Sequence, residues 1–424
     1  MPKIKRLFGR EVLDSRGRPT VLATCVLESG VSASASVPSG ASTGTAEAFE
    51  LRDGDAKRYQ GLGCRRAAGN IGAELQDALA GRVFHDQKEF DQTVIALDGT
   101  VNKSRIGANA ILAVSVAFAR AHAVERRVPL YQHFAEIRGT PANALPRLTI
   151  NLFSGGKHAG QQVAVQDVLI IPIAARSIDQ SLVAAFDVYQ AAANLILQKY
   201  GMRLLTADEG GLAPPCQSSE EMLSLAVEAI ELAGYTPGKD VALGIDVAST
   251  HFYRDHRYHL DGQILDSAGM IGAIARWLDR YPILSIEDGL AEDDWENWPH
   301  LRRAVDGRAL TLGDDLLCTN PTRIRRAIET NACDALLLKV NQIGTLTEAL
   351  QAYSQARASG WAVTLSVRSG ETEDNWAADL AVGWGADQFK NGSIRQSERL
   401  AKYNRLLEIE EATRWPLAEW PRHG

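Results

Sequence analysis

Cysteine is scarce in this sequence, where five thiols are spread over 424 residues with no Cys-x-x-Cys pair and an odd total. That spacing is unlike the paired framework of a disulfide-stabilised secreted domain. We therefore expect reduced, buried thiols that pack as small apolar side chains. The five are Cys25, Cys64, Cys216, Cys318 and Cys333.

Long apolar runs and an excess of positive charge are also missing. No apolar stretch reaches the roughly 20 residues that span a bilayer, and residues 1–6 lack the apolar core of a signal peptide. The 45 basic and 52 acidic residues leave a formal net charge of −7, which repels the phosphates of nucleic acid. We therefore expect a cytoplasmic protein with no membrane partner and no nucleic-acid partner.

The sequence divides into two parts at a segment rich in glycine and proline, 138–146. Before it, strand patterns are followed by helical patterns, which is typical of an α+β module. We predict an N-terminal α+β capping domain over 1–138 and a C-terminal βα barrel domain over 139–424. The predicted strands cover 20–27 and 31–37, and the predicted helices cover 64–80, 87–97 and 108–124.

A pattern repeats in the second part: short apolar runs end in a polar residue, and helix-length amphipathic stretches follow them. The polar ends lie 41, 27, 25, 27 and 24 residues apart, about the length of a strand, a helix and two loops. The spacing predicts consecutive βα units in a parallel barrel or sheet. The six runs are 241–246, 283–287, 309–314, 335–339, 361–366 and 386–390.

Five of these runs end in a charged residue: Asp246, Glu287, Asp314, Lys339 and Lys390. In a closed βα barrel the carboxyl ends of the strands meet at one face, where catalytic residues lie. A single charged residue at the end of a strand is usually solvent-exposed in a loop or caps a helix. Three carboxylates and two lysines in succession favour a shared pocket instead.

Three neighbouring carboxylates without a histidine or cysteine cluster favour a hard, oxygen-seeking cation, and Mg²⁺ fits best. Lys339 follows an apolar strand, so burial and a nearby cation would both favour its neutral amine, the form that a general base requires. An ion pair between Lys339 and a neighbouring carboxylate is the alternative.

Other segments carry groups suited to an anionic ligand. Glu209 precedes a double glycine, and His158 lies in a glycine-rich loop over 155–160; an acidic turn and an ordinary loop histidine are the alternatives. Arg368, Ser369 and Lys390 suit phosphate or carboxylate. Together these groups predict a substrate that chelates metal and bears a second anionic group.

Several stretches of the sequence form one ordered set of motifs: 9–20, 38–44, 51–55, 208–211, 285–290, 313–315, 339–344 and 368–374. Through these motifs the sequence resembles the enolase family, over essentially its whole length. Motifs of this length, in the same order, are far more specific than a lone glycine pattern. The resemblance implies an N-terminal α+β domain, an enolase-type βα barrel, about two Mg²⁺ ions per active site, and a homodimer or an assembly of dimers.

The resemblance also implies a hydro-lyase mechanism, the elimination of water from 2-phosphoglycerate to give phosphoenolpyruvate. It implies Asp246, Glu287 and Asp314 as metal ligands. Lys339 is then the base that removes the proton at C2, and Glu209 the acid that assists departure of the C3 hydroxide. The enolase superfamily pairs such a base with Mg²⁺, which stabilises the enediolate.

Further roles that the resemblance implies concern the substrate. Ser42, in the loop 38–44, helps to hold the second Mg²⁺. His158 closes over the substrate, Arg368 and Ser369 bind its phosphate, and Lys390 contacts its carboxylate, so the substrate is small and anionic and carries a carboxylate with a phosphate or a phosphonate.

The sequence departs from the family pattern at Val367, where histidine is usual, and at Asp167, where glutamate is usual. A lesser departure is Pro214–Pro215. In the family the first two positions line the side where the C3 hydroxyl leaves, so we include Asp167 among the catalytic candidates.

Three hypotheses follow from these departures. The chain is an ordinary enolase with retained activity, or a specialised enzyme for a modified substrate such as the carboxyphosphonoenolpyruvate synthase of phosphonate and phosphinate biosynthesis. The third hypothesis is a non-catalytic binding protein on an enolase scaffold.

Overall fold

The computed structural model describes residues 1–41, 43–201 and 205–421. Ser42, a predicted metal and substrate ligand, lies outside the described residues. All five cysteines are buried, so the expectation of thiols packed as small apolar side chains is confirmed. In the described ranges, no helix combines the length and the apolarity needed to cross a membrane.

The first part of the chain is a three-stranded antiparallel sheet covered by helices. Its central helix runs from Ala108 to Arg126 and packs against the second and third strands. Its alanine-rich sequence favours a helix and lets neighbouring backbone approach closely. The elements are β1 (Ile4–Leu13), β2 (Pro19–Leu27), β3 (Ser32–Ser36), α1 (Arg65–Asn70), α2 (Gln76–Leu79), α3 (Gln87–Asp98), α4 (Ala108–Arg126) and α5 (Leu130–Arg138).

The helices predicted over 87–97 and 108–124 are confirmed to within two residues at either end, as are the strands predicted over 20–27 and 31–37. The single helix predicted over 64–80 is wrong in detail. A π-helical turn over Ile71–Leu75 separates α1 from α2, and a π turn lets one extra residue into a helix without ending it.

The second part of the chain is a closed eight-stranded barrel surrounded by helices. Its strands are β4 (Arg147–Ser154), β5 (Asp167–Ile171), β6 (Ala242–Asp246), β10 (Ile283–Glu287), β11 (Leu310–Gly313), β12 (Ala335–Leu338), β13 (Ala362–Ser366) and β14 (Gln388–Lys390), and a small sheet of β7 (Tyr253–Arg254), β8 (Arg257–Leu260) and β9 (Gln263–Leu265) stands outside it. The helices are α6 (Ile178–Tyr200), α7 (Ser219–Leu232), α8 (Ser267–Arg280), α9 (Trp298–Val305), α10 (Pro321–Thr330), α11 (Leu346–Ala358), α12 (Trp376–Gly383) and α13 (Ser397–Thr413).

The six strands predicted from the repeating pattern are all present, adjacent in order and parallel to one another. The barrel as a whole is not parallel, because β5 runs antiparallel to both β4 and β6. The first residue of β5, Asp167, therefore lies opposite Asp246, the last residue of β6. The predicted fold class, an α+β domain followed by an enolase-type barrel, is confirmed.

Candidate active site

The five charged residues predicted from the repeating pattern lie together at one rim of the barrel. Asp246 and Glu287 end β6 and β10 and are direct neighbours in the strand register. Asp314 and Lys339 follow β11 and β12 immediately, and Lys390 ends β14. All five are at least nine-tenths buried, and buried charges require partners.

The ammonium of Lys390 joins the first two carboxylates, donating to Asp246 Oδ2 at 3.0 Å and to Glu287 Oε2 at 2.6 Å. Burial, and then the charge of Asp246, raise the pKa of Glu287 well above its usual value. Burial also acts to raise the pKa of Asp246, but the charges of Lys390, His158 and Lys339 together outweigh it and lower that pKa to about 2.

One carboxylate oxygen of the Asp246–Glu287 pair is buried without a partner among the described residues and could bind a cation in addition to Lys390. Glu287 Oε1 has no hydrogen-bond partner in the part of the chain that the structure describes. A buried carboxylate oxygen without a partner is costly, and a hard divalent cation is the kind of ligand that would satisfy it. The donor set therefore fits Mg²⁺.

The third predicted metal ligand, Asp314, is held by two other side chains. Lys339 Nζ lies 2.5 Å from its Oδ2, and the amide of Gln342 donates to its Oδ1 at 2.8 Å. Burial lowers the pKa of Lys339, but the charges of Asp314 and Glu287 together outweigh burial, and the net shift is upward. Lys339 therefore forms the ion pair that was the alternative to a neutral amine, and the neutral amine beside a bound cation stays a prediction.

Two groups of buried side chains have possible ligand atoms close enough together to hold a metal ion. They are His158 with Asp167 and Glu209, and Asp288 with Asp314 and Asp315. In the second group the oxygens of Asp288 accept the backbone N–H groups of Asp314, at 3.0 Å, and of Asp315, at 2.7 Å. Asp288 thus fixes the turn that presents Asp314.

His158 lies between two carboxylates. Its Nδ1 is 2.7 Å from Asp167 Oδ2, and its Nε2 is 3.7 Å from Glu209 Oε1. Burial alone would lower the pKa of His158, but the charges of Asp167 and Glu209 outweigh burial and raise it to about 9. The opposite holds for Glu209, whose pKa is lowered because the charges of His158 and Arg399 outweigh burial. At neutral pH the proton of this group resides on the imidazole.

The loop that carries His158 is shaped by a glycine. Gly156 has a φ of +45°, and a Cβ there would lie 3.0 Å from Gln166 Cα. Only glycine adopts this backbone without strain, which explains the double glycine before the histidine.

The two predicted phosphate ligands are engaged with charged neighbours. Arg368 forms a two-pronged ion pair with Glu47, at 2.9 and 3.2 Å. The hydroxyl of Ser369 accepts a hydrogen bond from Arg16 at 3.1 Å. Both residues are buried, so Glu47 and Arg16 of the first part of the chain are tied to the barrel through these contacts.

One small cavity joins most of these groups, with a free volume of about 10 Å³, room for about one water molecule. Val367 lines it and is 5% exposed. A ligand larger than water enters only if the lining loops, which contribute Ala41 and His158, move. The lining residues are Ala41, His158, Gln166, Glu209, Asp246, Lys339, Ser366, Val367, Arg368, Ser369 and Lys390.

Several residues that contact the predicted site groups were not predicted. Asn151 donates to Glu209 Oε2 at 3.1 Å, and Ser154 donates to Asp167 Oδ1 at 2.6 Å. Both belong to β4, in which polar and apolar residues alternate. That alternation is the sequence pattern that could have indicated them. Gln166, which donates to Asp246, and Gln342 and Glu47 gave no comparable signal.

Comparison with known families covers both parts of the chain. The family described as "Enolase, N-terminal domain" matches residues 4–134. The family described as "Enolase, C-terminal TIM barrel domain" matches residues 142–415. Together with the barrel and the charged rim described above, these matches show that the chain belongs to the enolase family.

Proposed function

We propose that this chain is a Mg²⁺-dependent lyase that eliminates water from 2-phosphoglycerate, or from a close analogue, to give an enolpyruvate such as phosphoenolpyruvate. The observation that carries the proposal is the cavity in which Lys339, Glu209, Lys390 and Arg368 meet beside Asp246. It offers a base, an acid and two anion-binding cations within one enclosed space.

The base and the acid have separate tasks. Lys339 Nζ takes the proton from C2, and the C3 hydroxide leaves as water with a proton from Glu209. Because Glu209 is ionised and His158 carries the proton 3.7 Å away, we infer that the imidazolium supplies that proton through Glu209.

The remaining cationic and hydroxyl side chains of the cavity bind the substrate. Arg368 and Ser369 suit the phosphate, and Lys390 suits the carboxylate. Asn151 orients Glu209 through its amide, and the small cavity keeps bulk water away from these groups, which strengthens each electrostatic contact.

The proposed metal ligands are Asp246, Glu287 and Asp314, and the unpartnered oxygen of Glu287 supports a cation there. These three carboxylates would hold Mg²⁺, which would supply positive charge to an anionic substrate. With Asp314 engaged by the cation, its charge would no longer keep Lys339 protonated. A second Mg²⁺, with Ser42 among its ligands, is part of the proposal.

The test is steady-state turnover of 2-phosphoglycerate, with and without Mg²⁺, for the parent and for the Val367→His variant. We expect Mg²⁺-dependent turnover by the parent. Tight Mg²⁺-dependent binding of 2-phosphoglycerate with no turnover by either protein would instead support a non-catalytic protein.

A second candidate is a specialised lyase for a phosphonate analogue, and Val367 favours it. Apart from Val367 and Ala41, the wall of the cavity is built from charged and polar groups, and an apolar side chain at position 367 offers the substrate no hydrogen-bonding partner. Slow turnover of 2-phosphoglycerate by the parent that Val367→His restores would support this candidate, and phosphonate analogues would then be assayed.

A further inference from the structure

A second, larger pocket lies outside the catalytic cavity. It has a volume of about 350 Å³ and separates the loop that carries His158 from the strands β7 and β8. We define the outer pocket by five of its lining residues, Lys157, His251, Arg254, His259 and Asp261.

The outer pocket is rich in groups that attract anions. Lys157 and Arg254 are exposed, and within the described ranges their side chains form no ion pair and no hydrogen bond. His251 adds a buried ring nitrogen, Nδ1, that has no partner within those same ranges. A neutral imidazole can place its N–H on this nitrogen and donate to an anion.

The carboxylate of Asp261, in the outer pocket, already accepts hydrogen bonds from the backbone. Asp261 accepts the backbone N–H of Ala164 at 2.9 Å through one oxygen, and that of Ser219 at 2.6 Å through the other. These two bonds engage both carboxylate oxygens and fix the end of the loop. The cationic side chains of Lys157 and Arg254 outnumber the one carboxylate of the lining, Asp261, so the pocket keeps a net positive character.

The outer pocket and the catalytic cavity share one short segment. Lys157 and His158 are consecutive residues of a single 3₁₀ turn, Gly156–His158. Lys157 lines the outer pocket and His158 lines the catalytic cavity. Since consecutive Cα atoms are about 3.8 Å apart, a ligand that holds Lys157 also limits the movement of His158.

We propose that the outer pocket is a second anion-binding site, which takes a phosphate group and, when occupied, holds the His158 loop closed over the catalytic cavity. A guanidinium, an ammonium and an imidazole N–H are the donors that phosphate prefers. A volume of about 350 Å³ also lies in the range of small-molecule sites. The inference does not depend on the reaction proposed above, because it concerns binding alone.

The experiment measures binding of inorganic phosphate to the full chain by equilibrium dialysis, with NaCl keeping the ionic strength constant. The test variant is Lys157→Gln/Arg254→Gln. The matched control is Lys239→Gln/Arg276→Gln, which removes the same charge from exposed residues outside the pocket. Thermal unfolding without phosphate checks that both variants are folded.

We expect saturable binding in the parent and in the control, and at least tenfold weaker binding at one site in the test variant. The charge-conserving variant Lys157→Arg/Arg254→Lys retains binding. Equal binding by the test variant and the control would overturn the proposal, as would a parent without a phosphate site beyond the catalytic cavity.

Hydrogen exchange tests the effect on the loop. Phosphate should slow amide exchange over residues 156–164 in the control and leave it unchanged in the test variant. Unchanged exchange in the control at saturating phosphate would overturn the proposed closure.

Discussion

The proton held by His158 gives the sharpest prediction, because the structure names the group that keeps it there. The side chain of Asp167 lies 2.7 Å from His158 Nδ1 and is the largest influence that raises the pKa of His158, to about 9. Asp167→Asn removes this charge but keeps the size of the side chain and an acceptor for Ser154. Burial remains, and burial lowers the pKa of a histidine.

We therefore expect the pKa of His158 in Asp167→Asn to fall by two units or more, to about 6.5 or below. NMR titration of the ¹³C-labelled histidine rings measures this directly. The chain has nine histidines, so His158→Gln assigns the resonance. A variant in which His158 still titrates near 9 would refute the role given to Asp167.

The free energy of unfolding should also depend on the protonation of His158. A histidine whose pKa rises from 6.5 to about 9 on folding contributes about 3 kcal/mol, at about 1.4 kcal/mol per unit. That contribution is complete below about pH 6.5 and is lost as the pH rises through about 9. The difference in unfolding temperature between the parent and Asp167→Asn, measured in EDTA, should therefore shrink over this interval. The control is Asp187→Asn, because the carboxylate of Asp187 accepts a hydrogen bond from the neutral hydroxyl of Tyr235. The difference in unfolding temperature between this variant and the parent should not change over the same interval.

Two further predictions concern buried ion pairs. Glu47→Gln removes the charge of the side chain that forms the two-pronged ion pair with Arg368, and breaking a buried pair costs about 3–5 kcal/mol. Thermal unfolding should show a drop of several degrees, and an unchanged midpoint would contradict a buried pair. Lys390→Met leaves Asp246 and Glu287 facing each other without the ammonium that joins them. We expect this variant to be strongly destabilised in EDTA and to regain more stability on addition of Mg²⁺ than the parent does, since a ligand stabilises the state that binds it. Equal gains in both proteins would argue against a cation at these carboxylates.

Six barrel strands could be predicted from the sequence because each is a short apolar run that ends in a polar residue. Strand β5 has the same apolar run, but its polar residue, Asp167, comes first. A polar residue at the start of a strand indicates that the strand runs antiparallel to the others. The start of an antiparallel strand and the end of a parallel strand lie at the same rim of the barrel. The regular spacing begins only at residue 241, so it carried no information about β4 and β5.

The charged residues of the site could be predicted, but their pairings could not. Glu47 and Arg368 are 321 positions apart, and no local pattern links them. The same limit applies to Lys339, because its protonation depends on an oxygen of Asp314 that lies 2.5 Å away. Burial can be inferred from an apolar run, whereas the sign of a pKa shift requires the distance to the nearest charge.

The reversed direction of β5 has a consequence for how this enzyme could diversify. Because β4 ends and β5 begins at the same rim, the segment between them, residues 155–166, has both its attachment points at the active site. A connection from a strand to the following helix has only one. Insertions or deletions in 155–166 would therefore reshape the site without shifting any helix around the barrel, so new substrate preferences could arise there at little cost to the stability of the scaffold.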